Sequence, residues 1–226
     1  MCDSSKTQLQ TRIFLIEDHP LLRDGLRIQI EEQPDMHVCG EADDLAPALA
    51  GIQDAQPDVA IIDLSLKTSS GLDLISQLAS AEWAPQMIVF SMQDEHFYAE
   101  RAFRAGAQGY VHKHADSKSI IDAIRHVRDG KLYMSQEVHE RMMRKAVTNP
   151  GKPSSGLPEE ALTDRELQVF ESLGKGHTVK EIGNRLSLSP KTIETYRDRI
   201  RKKLDIPSST LLLKYAFQWV AEKQVN

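Results

Sequence analysis

Acidic, hydroxyl and basic side chains follow several short apolar runs in the first half of the sequence. In chain order they are Glu17, Asp18, Asp63, Ser91 and Lys113. Three carboxylates held together repel one another, and a hard divalent cation with oxygen ligands relieves that repulsion while also holding phosphate oxygens. The residue types therefore predict phosphoryl transfer with Mg²⁺. Asp63 would attack phosphorus, while Lys113 and the Ser91 hydroxyl would stabilise the phosphoryl group.

The apolar runs are rich in β-branched residues, which predicts buried strands, and helical patterns lie between them. Five strands alternating with five helices predict an α/β fold with a doubly wound, five-stranded parallel sheet. In the strand order 2-1-3-4-5, strands one and three are neighbours, and their acids meet where such folds bind ligands. The predicted strands are Ile13–Ile16, His37–Gly40, Val59–Ile62, Met87–Phe90 and Gly109–Val111, and the predicted helices are Pro20–Glu32, Leu45–Ala55, Gly71–Ser80, Glu95–Ala105 and Ser117–Asp129.

The segment Thr148–Glu160 contains three prolines, two glycines and two serines, a composition typical of a linker. The amphipathic stretch Val138–Ala146 before it is a predicted helix that belongs either to the first domain or to the linker. After Ala161 the pattern is helical throughout, which predicts a small all-α domain. The expected organisation is a polar tail over residues 1–11, a first domain over 12–130, a helical extension and linker over 131–160, and a second domain over 161–226.

Helix start signals divide the second domain into four helices. Two capping boxes, Thr163 with Glu166 and Thr178 with Glu181, open the first two, and Ser189 precedes Pro190 at the third. The predicted helices are Asp164–Leu173, Val179–Leu186, Pro190–Leu204 and Ser208–Ala221. The short turn before the third helix predicts a helix-turn-helix with one added helix.

The formal net charge of −5 is unevenly distributed. Residues 161–226 contain 12 Lys and Arg against 8 Asp and Glu, a net charge of +4, so the remainder carries −9. This asymmetry favours a polyanionic partner for the second domain only. No stretch reaches the roughly 18 apolar residues that span a bilayer. Residues 1–11 lack the apolar core of a signal peptide, and Cys2 and Cys39 are expected to be free thiols, so we expect a cytoplasmic protein with no membrane partner.

Four segments, EDHPLLRDGL, IIDLSL followed by Gly71, VFS and GYVHK, resemble the receiver domains of two-component response regulators. The resemblance covers residues 12–130. It implies that Glu17 and Asp18 bind Mg²⁺ together with Asp63 and the backbone carbonyl of Ser65. It also implies that Asp63 accepts a phosphoryl group from the phosphohistidine of a sensor histidine kinase.

The same resemblance implies roles for three further residues. Lys113 would contact the phosphoryl group, while Ser91 and Tyr110 would relay the change to the face built from the fourth and fifth helices and the fifth strand. Met92 stands where receivers usually carry a small residue. Its side chain either obstructs the approach of water to the acylphosphate or swings aside.

The segment from Leu162 to Ile206 resembles the LuxR-type DNA-binding domain almost end to end, and its pairing with a receiver is that of the NarL/FixJ subgroup. The resemblance implies double-stranded DNA as partner, a homodimer when phosphorylated or DNA-bound, and RNA polymerase as a further partner. By position we expect Glu194, Thr195 and Asp198 to read bases, and Lys180, Lys191, Thr192, Arg199 and Lys202 to contact phosphates. In the last helix, Leu212, Tyr215, Ala216 and Trp219 are either core residues or partly a dimer surface.

An enzyme is the main alternative, because a doubly wound sheet with a nucleophilic aspartate also describes phosphatases of the haloacid dehalogenase type. Those enzymes carry a second aspartate two residues after the nucleophile, where this sequence has Ser65. Without that general acid a stable phosphoaspartate is expected, and the chain would promote only its own phosphorylation and dephosphorylation. A regulator that responds to a ligand or a partner instead of phosphorylation is a second alternative, against which the acids and Lys113 argue.

Overall fold

The computed structural model describes residues 10–93, 95–148 and 161–225, which form two compact units that divide between Met143 and Arg144. The first unit alternates strands and helices as the sequence predicts. Its elements are β1 (Thr11–Ile16), α1 (Pro20–Glu31), β2 (Met36–Ala42), α2 (Leu45–Ala55), β3 (Val59–Ile62), α3 (Gly71–Ala79), β4 (Gln86–Ser91), α4 (Glu95–Ala105), β5 (Gly109–His112), α5 (Ser117–Arg128) and, reaching past the division, α6 (Gln136–Thr148).

All strand pairs of the sheet are parallel, and the strand order is β2-β1-β3-β4-β5. The predicted fold class and strand order are therefore confirmed. Every residue of β3 is buried, because helices cover both faces of a doubly wound sheet. On one face Ile30 of α1 and Ile124 of α5 pack in the core with Ile13 and Ile88, and on the other Phe14 lies against α2.

A short segment after α5 pairs with the edge strand β5. The backbone amide of Tyr133 donates to the Gln108 carbonyl at 2.9 Å, and the Tyr110 amide donates to the Tyr133 carbonyl at 2.8 Å. Two residues on, the Ser135 amide donates to the Glu95 carboxylate of α4 at 2.9 Å. The helix α6 follows at once, and its Val138 is fully buried, so the start of this helix packs on the first unit.

The second unit consists of α7 (Asp164–Gly174), α8 (Val179–Arg185), α9 (Pro190–Lys203) and α10 (Ser209–Val225). Both predicted capping boxes are formed. The helix α10 runs four residues beyond the expected end. Its Leu212, Ala216 and Trp219 are buried in the core, Tyr215 is half-buried, and Leu211, Leu213 and Phe217 are exposed.

Within the described ranges, no helix combines the length and the apolar character needed to cross a membrane.

Candidate functional site

The predicted acids lie together at the carboxyl end of the sheet. The strands β1 and β3 are neighbours, so Glu17 and Asp18 after β1 face Asp63 after β3. His19 joins them, and one ligand atom from each of the four residues lies within 4.8 Å of all the others. Nδ1 of His19 lies 2.7 Å from Asp18 Oδ1 and 3.0 Å from Glu17 Oε1. Glu17 and Asp63 are almost fully buried.

The side chain of Lys113 enters this cluster from the end of β5. Its Nζ lies 2.7 Å from Asp63 Oδ2 and 2.7 Å from Glu17 Oε2. Burial and the neighbouring Asp63 carboxylate raise the pKa of Glu17, although Lys113 opposes the shift. Burial lowers the pKa of Lys113, but Asp63 and Glu17 together outweigh it and leave that pKa raised. The lysine is therefore held charged between two carboxylates.

A glycine allows α3 to begin directly against the backbone of Asp63. The Gly71 amide donates to the Leu64 carbonyl at 3.0 Å. A Cβ atom at position 71 would lie 2.1 Å from the Asp63 carbonyl oxygen and 2.8 Å from Leu64 Cα. Both are backbone atoms that cannot swing aside, so this position excludes every side chain.

The loop after β4 closes one side of the site through a residue that the sequence did not single out. Oγ of Ser91 accepts from the Gln93 amide at 3.2 Å, and the Gln93 side chain donates to Ser65 Oγ at 3.1 Å. Tyr110 is buried, and its hydroxyl donates to the Gln93 carbonyl at 2.9 Å. Gln93 thus links three predicted residues. Nothing in the sequence around Gln93 distinguishes it from a glutamine in any other loop.

Among the described residues, three oxygens of the site have no hydrogen-bond partner, and two of these, Glu17 Oε2 and Asp18 Oδ1, lie 2.7 Å from the side-chain nitrogens of Lys113 and His19. Oδ1 of Asp63 is buried and has no hydrogen-bond partner in the described part of the chain, whereas Oδ2 contacts Lys113. A buried carboxylate oxygen is costly to leave unpaired. Since it lies in a cluster of oxygen ligands, the donor set fits a hard divalent cation such as Mg²⁺.

The second candidate site is the exposed face of α9 with the start of α8. Most of the predicted DNA contacts are exposed there, and Thr192 is half-buried: Lys180, Lys191, Thr192, Glu194, Thr195, Asp198, Arg199 and Lys202. The Thr195 hydroxyl donates to the Lys191 carbonyl at 3.0 Å. Glu194 contacts Arg197, which is largely buried on the side of the helix that carries Ile193 and Ile200.

Two family models match the chain. The response regulator receiver domain matches residues 13–125, and the family described as bacterial regulatory proteins of the luxR family matches residues 160–216. The chain therefore belongs to the response regulators, and it is a DNA-binding transcriptional response regulator with a receiver domain and a LuxR-type helix-turn-helix. Such a protein is not a classical enzyme.

Curated relatives of similar length share this organisation. The oxygen regulatory protein NreC of Staphylococcus carnosus is 31% identical over 92% of this chain and 97% of its own length. NreC of Staphylococcus aureus strain JH9 is 30% identical with the same coverage.

The chain is also similar to solved structures. A LuxR-family two-component response regulator from Aurantimonas sp. SI85-9A1 is 31% identical with a TM-score of 0.57, covering 61% of this chain and 99% of that one. RcsB from Salmonella enterica serovar Typhimurium, solved bound to the promoter rprA, is 23% identical with a TM-score of 0.56, covering 92% of this chain and 98% of that one. At that identity RcsB supports the fold alone.

Proposed function

We propose that this regulator is switched by phosphorylation of Asp63. The observation that carries the proposal is the buried Asp63 carboxylate. Its Oδ2 lies 2.7 Å from Lys113 Nζ, and its Oδ1 has no hydrogen-bond partner among the residues that the structure describes and lies in a cluster of metal-ligand type. A sensor histidine kinase is the donor. The Asp63 carboxylate attacks phosphorus, the oxygen–phosphorus bond forms, and the bond from phosphorus to the kinase imidazole breaks with its electron pair on the leaving nitrogen.

The residues around Asp63 stabilise the phosphoryl group and respond to its presence. Lys113 is charged and lies beside the attacking carboxylate, so it is suited to neutralise the phosphoryl oxygens. The Ser91 hydroxyl accepts from the Gln93 amide and can at the same time donate its own hydrogen to the phosphoryl group. Movement of Ser91 toward the phosphoryl group would shift Gln93, whose carbonyl accepts from Tyr110, and so alter the β4–α4 loop.

Mg²⁺ is the proposed cofactor, held by Glu17, Asp18, Asp63 and the Ser65 backbone carbonyl. When bound, it compensates the negative charge of the carboxylates and the phosphoryl oxygens. Asp63 Oδ1, which finds no hydrogen-bond partner within the described ranges, supports this assignment. His19 lies in the same cluster, but its side chain is exposed and we assign it no ligand role.

The output is binding to double-stranded DNA through α9. Glu194, Thr195 and Asp198 are proposed to read bases, while Lys180, Lys191, Thr192, Arg199 and Lys202 contact phosphates. We further propose that the phosphorylated chain binds as a homodimer, with RNA polymerase as a further partner. Because DNA is the target, we place the protein in the cytoplasm.

The phosphorylation proposal is tested by intact-mass spectrometry after incubation with a small-molecule phosphodonor and Mg²⁺. We expect one added phosphoryl group on the natural chain and none on Asp63→Asn. The matched control is Asp73→Asn, an exposed acid in the first turn of α3, which should label normally. Unchanged labelling of Asp63→Asn would falsify the assignment.

A further inference from the structure

An arginine on the inner side of the recognition helix α9 contacts a residue on its outer side. Nη1 of Arg197 lies 2.8 Å from Glu194 Oε1 and 3.0 Å from Glu194 Oε2. The side chain of Arg197 is 16% exposed, whereas that of Glu194 is 55% exposed. The mostly buried arginine therefore contacts both carboxylate oxygens of the exposed glutamate.

The anchoring of Arg197 explains why this contact is firm. On α9 it lies between Ile193 and Ile200, both fully buried. Its Nε is buried without a hydrogen-bond partner in the described chain. A mostly buried cation requires a nearby anion, and the Glu194 carboxylate supplies it.

The contact leaves Glu194 able to bind a further donor. A carboxylate has about four acceptor positions, and the single Arg197 nitrogen uses one on each oxygen. The remaining positions are held in a fixed orientation, which reduces the entropy lost when a ligand is bound. Pairing with Arg197 also offsets the negative charge of Glu194, which DNA phosphates would otherwise repel.

A second pair on the same helix has a longer contact, although Nε of Arg201 is likewise buried without a hydrogen-bond partner in the described chain. Nη2 of Arg201 lies 3.9 Å from Asp198 Oδ1, beyond hydrogen-bond distance. Arg201 is also more exposed than Arg197, at 30%. Each pair joins an acidic residue to an arginine three positions later, so Arg201 provides a matched comparison for Arg197.

We propose that Arg197 is a positioning residue for base recognition, which holds the Glu194 carboxylate as the acceptor for the exocyclic amino group of a cytosine. In the major groove cytosine offers its N4 amino group as a donor, whereas the amino group of adenine adjoins the N7 acceptor, which repels a carboxylate. A fixed carboxylate therefore selects a C·G pair. This inference rests on the proposed DNA-binding function.

The test is selection of binding sites from a random pool of double-stranded DNA by the full chain, treated with phosphodonor and Mg²⁺. We expect the natural chain to enrich a motif with one strongly preferred cytosine. Arg197→Met and Glu194→Ala should each reduce the preference at that position by at least about fivefold, the lower end for a specific base contact. The rest of the motif should persist in both variants.

Two comparisons separate positioning from a merely structural role. The double variant should show the same motif and affinities as Glu194→Ala alone, because Arg197 acts through Glu194. Arg197→Lys keeps the charge, but its nitrogen ends one atom short of Nη1 and cannot hold the Glu194 carboxylate in the same place, so it should also weaken the cytosine preference. Arg201→Met should leave the motif unchanged. Circular dichroism and thermal melting check that each variant is folded.

The outcomes distinguish the two proposals. If the natural chain binds no DNA, the proposed function is wrong. If the natural chain binds DNA, and folded Arg197→Met and Arg197→Lys select the same motif at every position, the positioning role of Arg197 is wrong while the DNA-binding function stands. An additive loss in the double variant would show that Arg197 contacts DNA itself, and would also overturn the inference.

Discussion

Met92 is an exposed apolar residue directly beside the buried Ser91 of the phosphorylation site. Its exposed fraction is 56%. Hydrolysis of a phosphoaspartate needs a water in line with the bond that breaks, and such geometry is sensitive to displacements of about 1 Å. We expect Met92→Ala to open this path, shorten the lifetime of phosphorylated Asp63 and speed phosphorylation by small donors, with Mg²⁺ affinity unchanged.

The lifetime can be followed on phosphoprotein gels at saturating Mg²⁺. Met143→Ala is the matched control, since Met143 of α6 is 55% exposed. If Met92→Ala and the natural chain decay at equal rates, the flexible thioether swings aside and Met92 is not a gate.

Glu166 is a buried acid that both caps α7 and contacts another helix. Its Oε2 accepts from the Thr163 amide at 2.8 Å and from Lys203 of α9 at 2.7 Å. Replacing the lysine leaves a buried carboxylate without its cation, so we expect Lys203→Met to lower the free energy of unfolding by about 1–2 kcal/mol. Urea denaturation of the full chain measures this, with the exposed neighbour Lys202→Met as control. A loss no larger than that of the control would contradict the role of the pair.

The same pair predicts a dependence on pH. Burial raises the pKa of Glu166, but the contacts with Lys203 and Thr163 outweigh it and leave that pKa below its ordinary value. A lowered pKa contributes stability above the pKa of the unfolded chain, and this contribution is lost as the pH falls through the folded value. The stability difference between the natural chain and Lys203→Met should therefore be full at neutral pH and shrink in acid. A difference that stays constant down to the acid limit of folding would argue against this linkage.

For individual residues, the sequence predicted the positions of those that come directly after a strand. Glu17, Asp63 and Lys113 meet because parallel strands end at one edge. Contacts such as Glu166 with Lys203, or Gln93 with Ser65, join residues 37 and 28 positions apart. They depend on how elements pack, and no local pattern encodes them.

Among the elements, the strands and most helices follow their apolar periodicity to within a residue or two of the predicted bounds. The β-bridge between Tyr133 and Gly109 was not predicted, because a single paired residue produces no periodic pattern in the sequence. The extra length of α10 also escaped prediction, since the segment after Ala221 carries no apolar period and polar helix ends are set by capping and packing.

The close packing of the start of α3 against Asp63 predicts the effect of a substitution at Gly71. Gly71→Ala would force a Cβ into the backbone of Asp63 and Leu64, so the helix start and the phosphorylation site must separate. We expect a loss of stability of about 2 kcal/mol or more, as for other changes at a backbone contact, and slower phosphorylation by a small donor.

Gly25→Ala in α1 is the matched control for this change. A Cβ there meets nothing within 4 Å, and alanine in an exposed helix should stabilise by about 0.5–1 kcal/mol. Thermal unfolding and labelling kinetics of both variants test the pair. Normal labelling and stability of Gly71→Ala would show that α3 adjusts without disturbing Asp63.

For the whole molecule, the charge difference between the second domain and the rest of the chain predicts how DNA binding responds to salt. The segment 161–226 carries +4 against −9 for the remainder, and exposed lysines such as Lys202 lie on α9. Each phosphate contact releases counterions, so Lys202→Ala should weaken binding to all sequences alike and reduce the salt slope by about 1. Fluorescence anisotropy at several salt concentrations measures both. A loss confined to one sequence would mean that Lys202 reads bases.

The pairing of Tyr133 with β5 also bears on how the protein avoids self-association. An edge strand exposes unpaired amides and carbonyls that another chain can extend into a continuous sheet. Here the amides of Tyr110 and Tyr133 and the carbonyls of Gln108 and Tyr133 are engaged within the chain. A receiver fragment ending at Gly130 would uncover this edge and should aggregate at high concentration, whereas a fragment ending at Met143 would retain its cover.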